Sequence, residues 1–372
     1  MEEYDVVVVG GGIAGSVAAR LAARQGFRTL LIEKKKTPRN KSCSGIQFPY
    51  FEKLIGARIP PDRLCRNELY QVEIVTPSGR ALHGRMKMLN FWRSTLDSWL
   101  NSLAAEAGAN FQDQTRLLDF HQEDAGVTLR LQTDQERLVR ARYLIAADGL
   151  YSRIRKQLRP ADFGSRASGG TVNYYCVGET TLNPHTLYMV YNRDFCPQMF
   201  AWAYLKDDQW VIGTAADRCP REYADRFFAY IQARYGFRGE IVRKEGFSSP
   251  LTGGVFLGSG RVLLVGDAAN LVDARRGLGM DNAALSARLV VQALVAAEGD
   301  GRPAAEQYQR LMRGLVRKLE ANRDRQARQF ASNDRLEAGL NPGSLLKGGV
   351  LMKLAGWANA VLPPERIITL PL

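Results

Sequence analysis

The sequence is poor in cysteine, and its five cysteines are scattered among 372 residues. They are odd in number and form no C-x-x-C pair, so we expect neither a disulfide framework nor a zinc site, and no other metal-ligand spacing is present. Reduced, unpaired thiols are typical of the cytoplasm, which we predict as the location of the protein.

Long apolar runs are missing as well. No stretch reaches the roughly 18 uninterrupted apolar residues of a membrane span. Glu2 and Glu3 lead straight into a run of valines, without the basic region or cleavage site of a secretory signal. With 45% hydrophobic and 24% charged residues, the composition is that of a globular protein. The length allows two or three structural units at roughly 100 to 200 residues each.

Negative charge is also scarce. Lys and Arg number 51 against 38 Asp and Glu, a net charge of +13, and residues 20–66 alone hold twelve basic and three acidic residues. Such an excess favours an anionic partner: the phosphates of a cofactor or of NAD(P)H, an acidic protein such as ferredoxin, or anionic lipid. The arginine-rich segment 303–338 lacks aromatic residues interleaved for base stacking, so we expect no nucleic acid.

The first 33 residues predict a strand, a glycine turn, a helix and a second strand. Residues 5–9 and 28–32 are apolar runs, and residues 16–24 have the apolar spacing of a helix that ends at Gly26. Two buried strands joined by a helix are parallel, so we expect a βαβ unit. Its turn holds the fingerprint G-x-G-x-x-G, formed by Gly10, Gly12 and Gly15.

In this setting the fingerprint predicts a dinucleotide site. Its first glycine permits the tight turn, the second lets a pyrophosphate approach the backbone, and the third lets the helix pack closely on the strand. The helix N-terminus, at Ile13 and Ala14, adds a partial positive charge. Glu33 ends the second strand, where a carboxylate accepts hydrogen bonds from ribose hydroxyls and repels a 2′-phosphate. These residues alone leave FAD and NAD open.

Two later motifs resemble those of the class A flavoprotein monooxygenase-like superfamily. Residues 147–155 resemble its Asp-Gly motif, and residues 266–269, Gly-Asp-Ala-Ala, resemble its late FAD motif. The resemblance implies FAD, with the late aspartate at the ribitol and the backbone of residues 277–280 near the flavin pyrimidine, where a helix N-terminus stabilises negative charge. A plain turn and helix cap is the alternative. The implied cofactor-binding residues are Asp148, Gly149, Ser152, Arg155, Gly266, Asp267, Gly277, Leu278, Gly279 and Met280.

Three segments resemble the geranylgeranyl reductase family, which saturates isoprenoid double bonds. Residues 41–45 are close to its Lys-Pro-Cys-Gly-Gly segment, residues 93–100 match its Arg…Phe-Asp…Leu helix start, and residues 197–205 resemble its Pro-x-x-Tyr-x-Trp-x-Phe-Pro strand. This family implies reduction of C=C bonds in an apolar isoprenoid-like substrate. Because the sequence holds one glycine fingerprint and no second one for a separate NAD(P)H domain, we expect the electron donor to be transiently docked NAD(P)H or an acidic protein. Further cofactor-binding residues are then Lys34, Lys41, Ser42, Cys43 and Arg93.

The candidate catalytic residues are Cys43, Phe200, Trp202 and Tyr204. The three aromatic residues alternate along one predicted strand and therefore face one side, where they would wall an apolar chain beside the flavin. Ordinary core packing is the alternative. Trp210 is expected on a neighbouring strand. Cys43 has three interpretations: a proton donor or redox-active thiol, a residue that shapes the cavity, or an inert buried cysteine.

One loop departs from the family pattern. Ala274 replaces the usual proline after the late motif, and Arg275 and Arg276 follow it. The arginines indicate either a nearby anionic group or a solvated loop. Two rival functions stay open: a flavin monooxygenase or halogenase that uses O2, and a flavin-binding, membrane-associated protein that does not turn over.

Residues 343–362 predict a helix with an apolar stripe that includes Leu346, Leu354 and Trp357. The helix could lie in a membrane interface, form a lid over the cavity, or pack on the core.

The predicted fold class is α/β, with a Rossmann-like FAD-binding domain of the glutathione-reductase type and an inserted antiparallel-sheet substrate domain. The FAD-binding domain is expected over residues 1–68, 91–165 and 255–300, the substrate domain over 69–90 and 166–254, and a helical C-terminal region over 301–372.

Overall fold

Sixteen strands form two sheets in the part of the chain that the structure, a computed structural model, describes: residues 1–164, 169–249, 252–277 and 279–367. The strands are β1 Glu2–Val9, β2 Thr29–Ile32, β3 Ile46–Gln47, β4 Leu69–Val75, β5 Ala81–Asn90, β6 Asn110–Gln112, β7 Arg116–Glu123, β8 Gly126–Gln132, β9 Glu136–Ala146, β10 Gly169–Glu179, β11 Thr186–Val190, β12 Ala201–Lys206, β13 Gln209–Ala216, β14 Arg238–Ser249, β15 Gly258–Ser259 and β16 Val262–Leu264. The α-helices of this part are α1 Ile13–Arg24, α2 Phe51–Ile55, α3 Arg93–Glu106, α4 Arg153–Leu158, α5 Pro220–Tyr235, α6 Met280–Asp300, α7 Ala304–Gln329, α8 Asn333–Gly339 and α9 Pro342–Val361.

The first sheet has a parallel centre in the order β16-β9-β1-β2-β6. Residues 6–9 of β1 are all buried, as expected for a parallel strand covered on both faces. Antiparallel strands extend the sheet, because β15 pairs with β16 and the β7–β8 hairpin joins β9 through β8. Helix α1 packs against α3 and α6, and their apolar side chains join those of the strands in the largest hydrophobic core.

The second sheet has the order β14-β10-β13-β12-β11-β4-β5-β3. Its pairs are antiparallel with one exception, since β11 lies parallel to β4. Strand β3 lies within the segment predicted for the FAD-binding domain, yet it pairs with residues 89–90 of β5. These two residues extend beyond the pairing of β5 with β4 and leave an edge for β3.

Helices cover the second sheet. Phe227 and Ile231 of α5, four residues apart, point into a second core formed with β10, β12 and β13. Phe330, which follows α7, and Leu336 of α8 pack with Met189 of β11 in a third cluster. No helix in the described ranges is long and apolar enough to cross a membrane.

The predicted fold class is confirmed. Strands of the first sheet come from residues 2–32, 110–146 and 258–264, those of the second from 46–90 and 169–249, and α7 to α9 form the helical C-terminal region. The predicted domain boundary between residues 165 and 166 lies outside the described residues.

Candidate active site

A cavity of about 280 Å³ lies between the glycine turn of the first sheet and the face of the second. The predicted site residues that line it are Gly12, Ile13, Ala14, Lys41, Ser42, Cys43, Arg93, Gly149, Phe200, Trp202, Tyr204, Asp267, Gly277, Gly279 and Met280. The predicted site residues that do not line it are Gly10, Gly15, Glu33, Lys34, Asp148, Ser152, Arg155 and Gly266. Leu278 lies outside the described residues. In the described part of the chain, no group of three His, Cys, Asp or Glu side chains could hold a metal ion.

The glycine turn after β1 is shaped by close backbone contacts. Gly10 has a φ of +115°, and a Cβ there would lie 2.3 Å from the carbonyl oxygen of Ala147. A Cβ on Gly15 would lie 1.8 Å from the carbonyl oxygen of Gly10. Gly266 packs against the same turn, since a Cβ added to it would lie 3.2 Å from the Cβ of Ala14. Only glycine fits Gly10 and Gly15, and the N-terminus of α1 is therefore held against the ends of β1 and β9.

Two guanidinium groups face Gly12. A Cβ at Gly12 would lie 3.5 Å from Nη2 of Arg39 and 3.8 Å from Nη2 of Arg93. Arg39 pairs with Glu33 at 2.9 Å and with Asp97 at 3.2 Å. Arg93 is buried and donates two hydrogen bonds of 2.8 Å to Asp97. The space at Gly12, bounded by helix amides and two cations, is a cradle that fits a pyrophosphate.

The carboxylate of Glu33 stands at the end of β2, as predicted. Its two oxygens accept hydrogen bonds from the amides of Gly11, at 3.1 Å, and Lys35, at 3.0 Å. Lys34 is exposed. Sequence reasoning missed Arg39, because a basic residue in a basic stretch carries no local sign that it will bridge Glu33 to a helix 58 residues further along the chain.

Asp267 and Lys41 meet in the cavity, with 2.9 Å between the Lys41 Nζ and an Asp267 carboxylate oxygen. Burial alone would raise the pKa of Asp267, but Lys41 and then Arg93 outweigh burial and hold this pKa below its ordinary value. Helix α6 begins at Met280, as predicted, and with Gly279 it brings a helix N-terminus to the cavity. This positive end suits the negative charge of a reduced flavin.

The Asp-Gly motif forms the entry to α4. Ser152 caps this helix by accepting a hydrogen bond of 2.9 Å from the amide of Arg155. One carboxylate oxygen of Asp148 accepts from the amide of Arg153, whereas its other oxygen, Oδ1, is buried with no hydrogen-bond partner among the described residues. The guanidinium of Arg155 is fully buried and bonds to Asp162 and to two backbone carbonyls. A flavin-binding role for Arg155 stays a prediction, while its contacts give it a structural one.

Phe200, Trp202 and Tyr204, on and just before β12, all line the cavity. The Trp202 indole donates a hydrogen bond of 2.8 Å to the side-chain oxygen of Asn173, whose amide nitrogen lies 3.5 Å from the Ser42 hydroxyl. We call this surface the aromatic wall. Its other apolar members are Phe48, Leu187, Met189, Met199 and Phe247. Trp210, on the neighbouring strand β13 as predicted, packs into the second core instead.

Cys43 lies where the charged and aromatic parts of the cavity meet. Its thiol is half-buried, and its sulfur is 3.7 Å from the sulfur of Met280. Arg93 is its other neighbour: burial would lower the pKa of Arg93, but Asp97 and then Cys43 outweigh burial and raise it. Of the three interpretations of Cys43, a buried cysteine does not fit this position, because the thiol is half-buried and lines the cavity; its chemical role stays a prediction.

A buried lysine escaped the sequence reasoning. Lys206 follows Tyr204 by two residues and so lies on the same face of β12. Its ammonium donates to the carbonyl oxygens of Ser44, at 2.9 Å, and Phe91, at 2.6 Å, and to the side chain of Asn90, at 3.0 Å. Burial lowers the pKa of Lys206 to about 8. The lysine ties the loop that carries Cys43 to the end of the aromatic wall.

The loop with Ala274 in place of the family proline holds a buried ion-pair network. Arg276 is buried, and its guanidinium pairs with Asp273 at 2.8 Å and with Asp281 at 3.3 Å. The expected anionic group is present as these two carboxylates of the protein, and the alternative of a solvated loop is wrong for this arginine, which is buried and also lines the cavity. Arg275 is half-buried beside it.

Two family models match the chain. One is described as an FAD binding domain and matches residues 66–221; the other is described as an NAD(P)-binding Rossmann-like domain and matches residues 8–42, the βαβ unit with the glycine fingerprint.

Relatives with related names are similar over most of the chain. A digeranylgeranylglycerophospholipid reductase of Methanocella arvoryzae is 26% identical over 77% of this chain and 76% of its own length. A geranylgeranyl diphosphate reductase of Rhodobacter capsulatus is 28% identical over 81% and 78%. The solved structure of a geranylgeranyl bacteriochlorophyll reductase-like protein from Thermoplasma acidophilum aligns with a TM-score of 0.80 at 23% identity, over 93% and 96% of the two chains.

A p-nitrophenol monooxygenase and a halogenase, each 16% identical with a TM-score of 0.69, share the fold alone. The predicted resemblance to geranylgeranyl reductases is confirmed, and with it FAD as the cofactor.

Proposed function

We propose that the protein is an FAD-dependent oxidoreductase that reduces C=C bonds of an apolar, isoprenoid-like lipid. The observation that carries this is the composition of its cavity. Glycines and the charged side chains of Lys41, Arg93 and Asp267 line one part of it, and the aromatic wall lines another; Arg276 also lines the cavity, with its charge balanced by Asp273 and Asp281. An apolar chain lying along such a wall reaches the same space as a dinucleotide bound at the glycine turn.

The charged end fits FAD. We assign the pyrophosphate to the cradle of Gly12, Arg39 and Arg93, and the flavin to the side bounded by Asp267 and Met280. The orphaned buried oxygen of Asp148 suits a hydroxyl donor from the cofactor. FAD bound here supplies the hydride that adds to one carbon of the substrate double bond.

The substrate class follows from the wall and from the relatives. Both curated relatives are named for substrates that join geranylgeranyl chains to a phosphate-bearing group. We transfer this class to the present chain, because Phe200, Trp202 and Tyr204 offer the apolar surface that a polyprenyl chain needs. Burial holds the pKa of Tyr204 well above its ordinary value, so its hydroxyl stays neutral beside the chain.

The second carbon of the double bond needs a proton, and Cys43 is our proposed donor. Its thiol lines the cavity beside the N-terminus of α6, at the junction where a flavin and an alkene would meet. Lys206 acts as a positioning residue, since its hydrogen bond to the carbonyl of Ser44 holds the loop that follows Cys43. Phe200, Trp202 and Tyr204 orient the substrate and exclude water.

Electrons must reach the cofactor from another molecule. Three consecutive lysines, Lys34 to Lys36, are exposed directly after β2. Together with the net charge of +13, they would attract phosphate-bearing NADPH or an acidic ferredoxin-like protein, and we propose one of these as the donor. We also propose that the protein contacts membranes peripherally, because a polyprenyl lipid resides there.

Anaerobic reoxidation tests the proposal. The holoenzyme is photoreduced without O2 and mixed with geranylgeranyl diphosphate, and the flavin absorbance is followed. We expect reoxidation by the alkene, and a product two hydrogens heavier for each bond reduced. Reoxidation only after O2 is admitted, with an oxygen atom in the product, would indicate the rival monooxygenase.

The role of Cys43 is tested in the same assay. We expect Cys43→Ser to retain flavin and to slow alkene reduction by about 10²- to 10⁴-fold, the usual contribution of a positioned acid. Cys219→Ser, at an exposed cysteine, is the matched control and should keep the wild-type rate. A Cys43→Ser variant that reduces the alkene at full rate would leave the thiol only a role in shaping the cavity.

A further inference from the structure

The predicted apolar stripe of α9 does not face the protein. Leu346 and Trp357 have exposed fractions of 72 and 71%, and Val350, Leu351, Leu354 and Val361 are also exposed. The same helix buries Ala355 and Asn359 and half-buries Met352. At about 100° per residue Leu346, Val350, Leu354, Trp357 and Val361 lie opposite the buried side of the helix, whereas Leu351 lies at the border of that side. The core interpretation of this stripe is therefore wrong.

The helix is anchored with this face outward. Lys53 of α2 donates to three carbonyl oxygens at its C-terminal end, those of Asn359 at 2.7 Å, Ala360 at 2.9 Å and Leu362 at 2.7 Å. A cation bonded to the last carbonyls of a helix stabilises that end. Glu365, just beyond, pairs with Arg288 of α6 at 2.9 Å. These bonds hold the helix against the body by its inner face and leave the stripe free.

Charge selects what could cover this face. Residues 338–364 contain two lysines and no acidic residue, and both lysines are exposed. On the helical projection Lys347 and Lys353 lie on either side of the stripe formed by Leu346, Val350, Leu354, Trp357 and Val361. An apolar surface with a tryptophan and flanking lysines is complementary to a bilayer, in which acyl chains lie beneath anionic headgroups. A second copy of this chain would bring the same positive flanks against one another.

We propose that the outer face of α9, formed by Leu346, Val350, Leu354, Trp357 and Val361, docks the enzyme on the surface of anionic phospholipid membranes. The helix would lie in the interface, since no described helix is suited to cross the bilayer. This inference names the surface for the membrane contact and rests on the proposed lipid substrate. Helix α2, whose Lys53 binds the end of α9, begins three residues after Phe48 of the aromatic wall, so the docking helix is connected to the cavity through α2.

Vesicle binding by the full-length holoenzyme tests it. The probes are vesicles of phosphatidylcholine alone and of phosphatidylcholine with phosphatidylglycerol, at low and high salt. We expect cosedimentation with the anionic vesicles that weakens in salt, and a blue shift of tryptophan fluorescence that disappears in Trp357→Phe. The double variant Leu354→Glu/Trp357→Glu should bind at least about tenfold more weakly.

The matched control is Leu138→Glu/Val242→Glu, which adds the same charge at two exposed apolar residues of the sheets and should bind like wild type. Flavin content and reduction of a short, water-soluble prenyl alcohol should be unchanged in both double variants. If the α9 variant instead loses this soluble activity, the helix is a lid and the proposal is overturned. Equal vesicle binding by the two double variants would also overturn it. So would a wild-type protein that is dimeric and binds no vesicles, if the α9 variant is monomeric. Failure of wild type to reduce any prenyl compound would count against the proposed function and leave the docking result standing.

Discussion

The two ends of the cavity are built in different ways. At the glycine turn the surface is the main chain itself, packed so closely that a single Cβ at Gly10 or Gly15 would collide with a carbonyl oxygen. At the aromatic wall the surface consists of side chains, carried by strands whose backbone pairs regularly. We therefore expect that side chains added at Gly10 or Gly15 disturb the cofactor end, whereas side chains of the wall can be replaced while the sheet stays intact.

Charge separates the two ends as well. Around the cradle, Arg39 and Arg93 are held by Glu33 and Asp97, so their positions are set before any ligand binds. On the strand of the wall, the buried charge of Lys206 is bonded to the loop of Cys43 and to Asn90 and Phe91 at the end of β5 rather than directed into the cavity. We infer that the charged groups for the cofactor are preorganised, whereas an apolar substrate is selected by the shape of the wall.

The largest expected effect is at the cofactor end. Gly10→Ala combines a left-handed φ with a Cβ placed 2.3 Å from a carbonyl oxygen, so the turn must move and the cradle with it. We expect purified Gly10→Ala to hold less than about a tenth of the wild-type flavin. Each 1.4 kcal/mol of binding free energy that is lost weakens FAD binding about tenfold. Flavin absorbance per chain measures this.

The control for that variant is Gly26→Ala. Gly26 also has a positive φ, of +84°, but its Cβ would meet nothing within 4 Å. We expect only the cost of the conformation, about 1 kcal/mol of the free energy of unfolding, with full flavin content. Normal flavin in Gly10→Ala would show that the turn is more adaptable than its contacts indicate.

The substrate end should respond in turnover and not in cofactor content. Trp202→Phe removes ring area from the cavity and the hydrogen bond to Asn173. We expect kcat/KM for a polyprenyl substrate to fall about tenfold, equivalent to about 1.4 kcal/mol, with normal flavin. Trp210→Phe on the neighbouring strand is the matched control and should lower Tm while sparing kcat/KM. Equal kinetic losses in the two variants would break the distinction between wall and core.

A pH-dependent effect is expected where the two ends meet. The folded-state pKa of Lys206 is about 8, below the ordinary 10.5, because of burial. Between these pH values the unfolded chain binds a proton that the folded chain does not, so wild-type stability gains from Lys206 as pH rises, by up to about 3 kcal/mol. Below pH 8 this gain is absent.

Denaturant unfolding of wild type and Lys206→Met from pH 7 to 10 measures it. We expect the variant to be less stable already at pH 7, because three oxygen acceptors lose their donor, and the gap to widen with pH. Lys87→Met, at an exposed lysine of β5, should show no such widening. A gap that stays constant with pH would mean that Lys206 titrates alike in the folded and unfolded chains.

How much the sequence revealed differs between the two ends. The βαβ unit, its glycines and the start of α6 at Met280 followed from local patterns, because each depends on residues within one turn or one strand. Alternation along β12 placed Phe200, Trp202 and Tyr204 together for the same reason. Arg39, Asn173 and Lys206 were missed, since their partners lie 58, 131 and 162 residues away along the chain.

By itself the sequence determined that the chain forms a dinucleotide-binding α/β unit with an inserted sheet, because glycine spacing and hydrophobic periodicity act over short distances. Only the tertiary structure decided which charges are neutralised and which surfaces stay bare. Arg276 pairs with two carboxylates and is buried, whereas the stripe of α9 stays exposed and is not covered by the described residues. Periodicity states that a helix has an apolar side; what that side meets depends on how the rest of the chain packs around it.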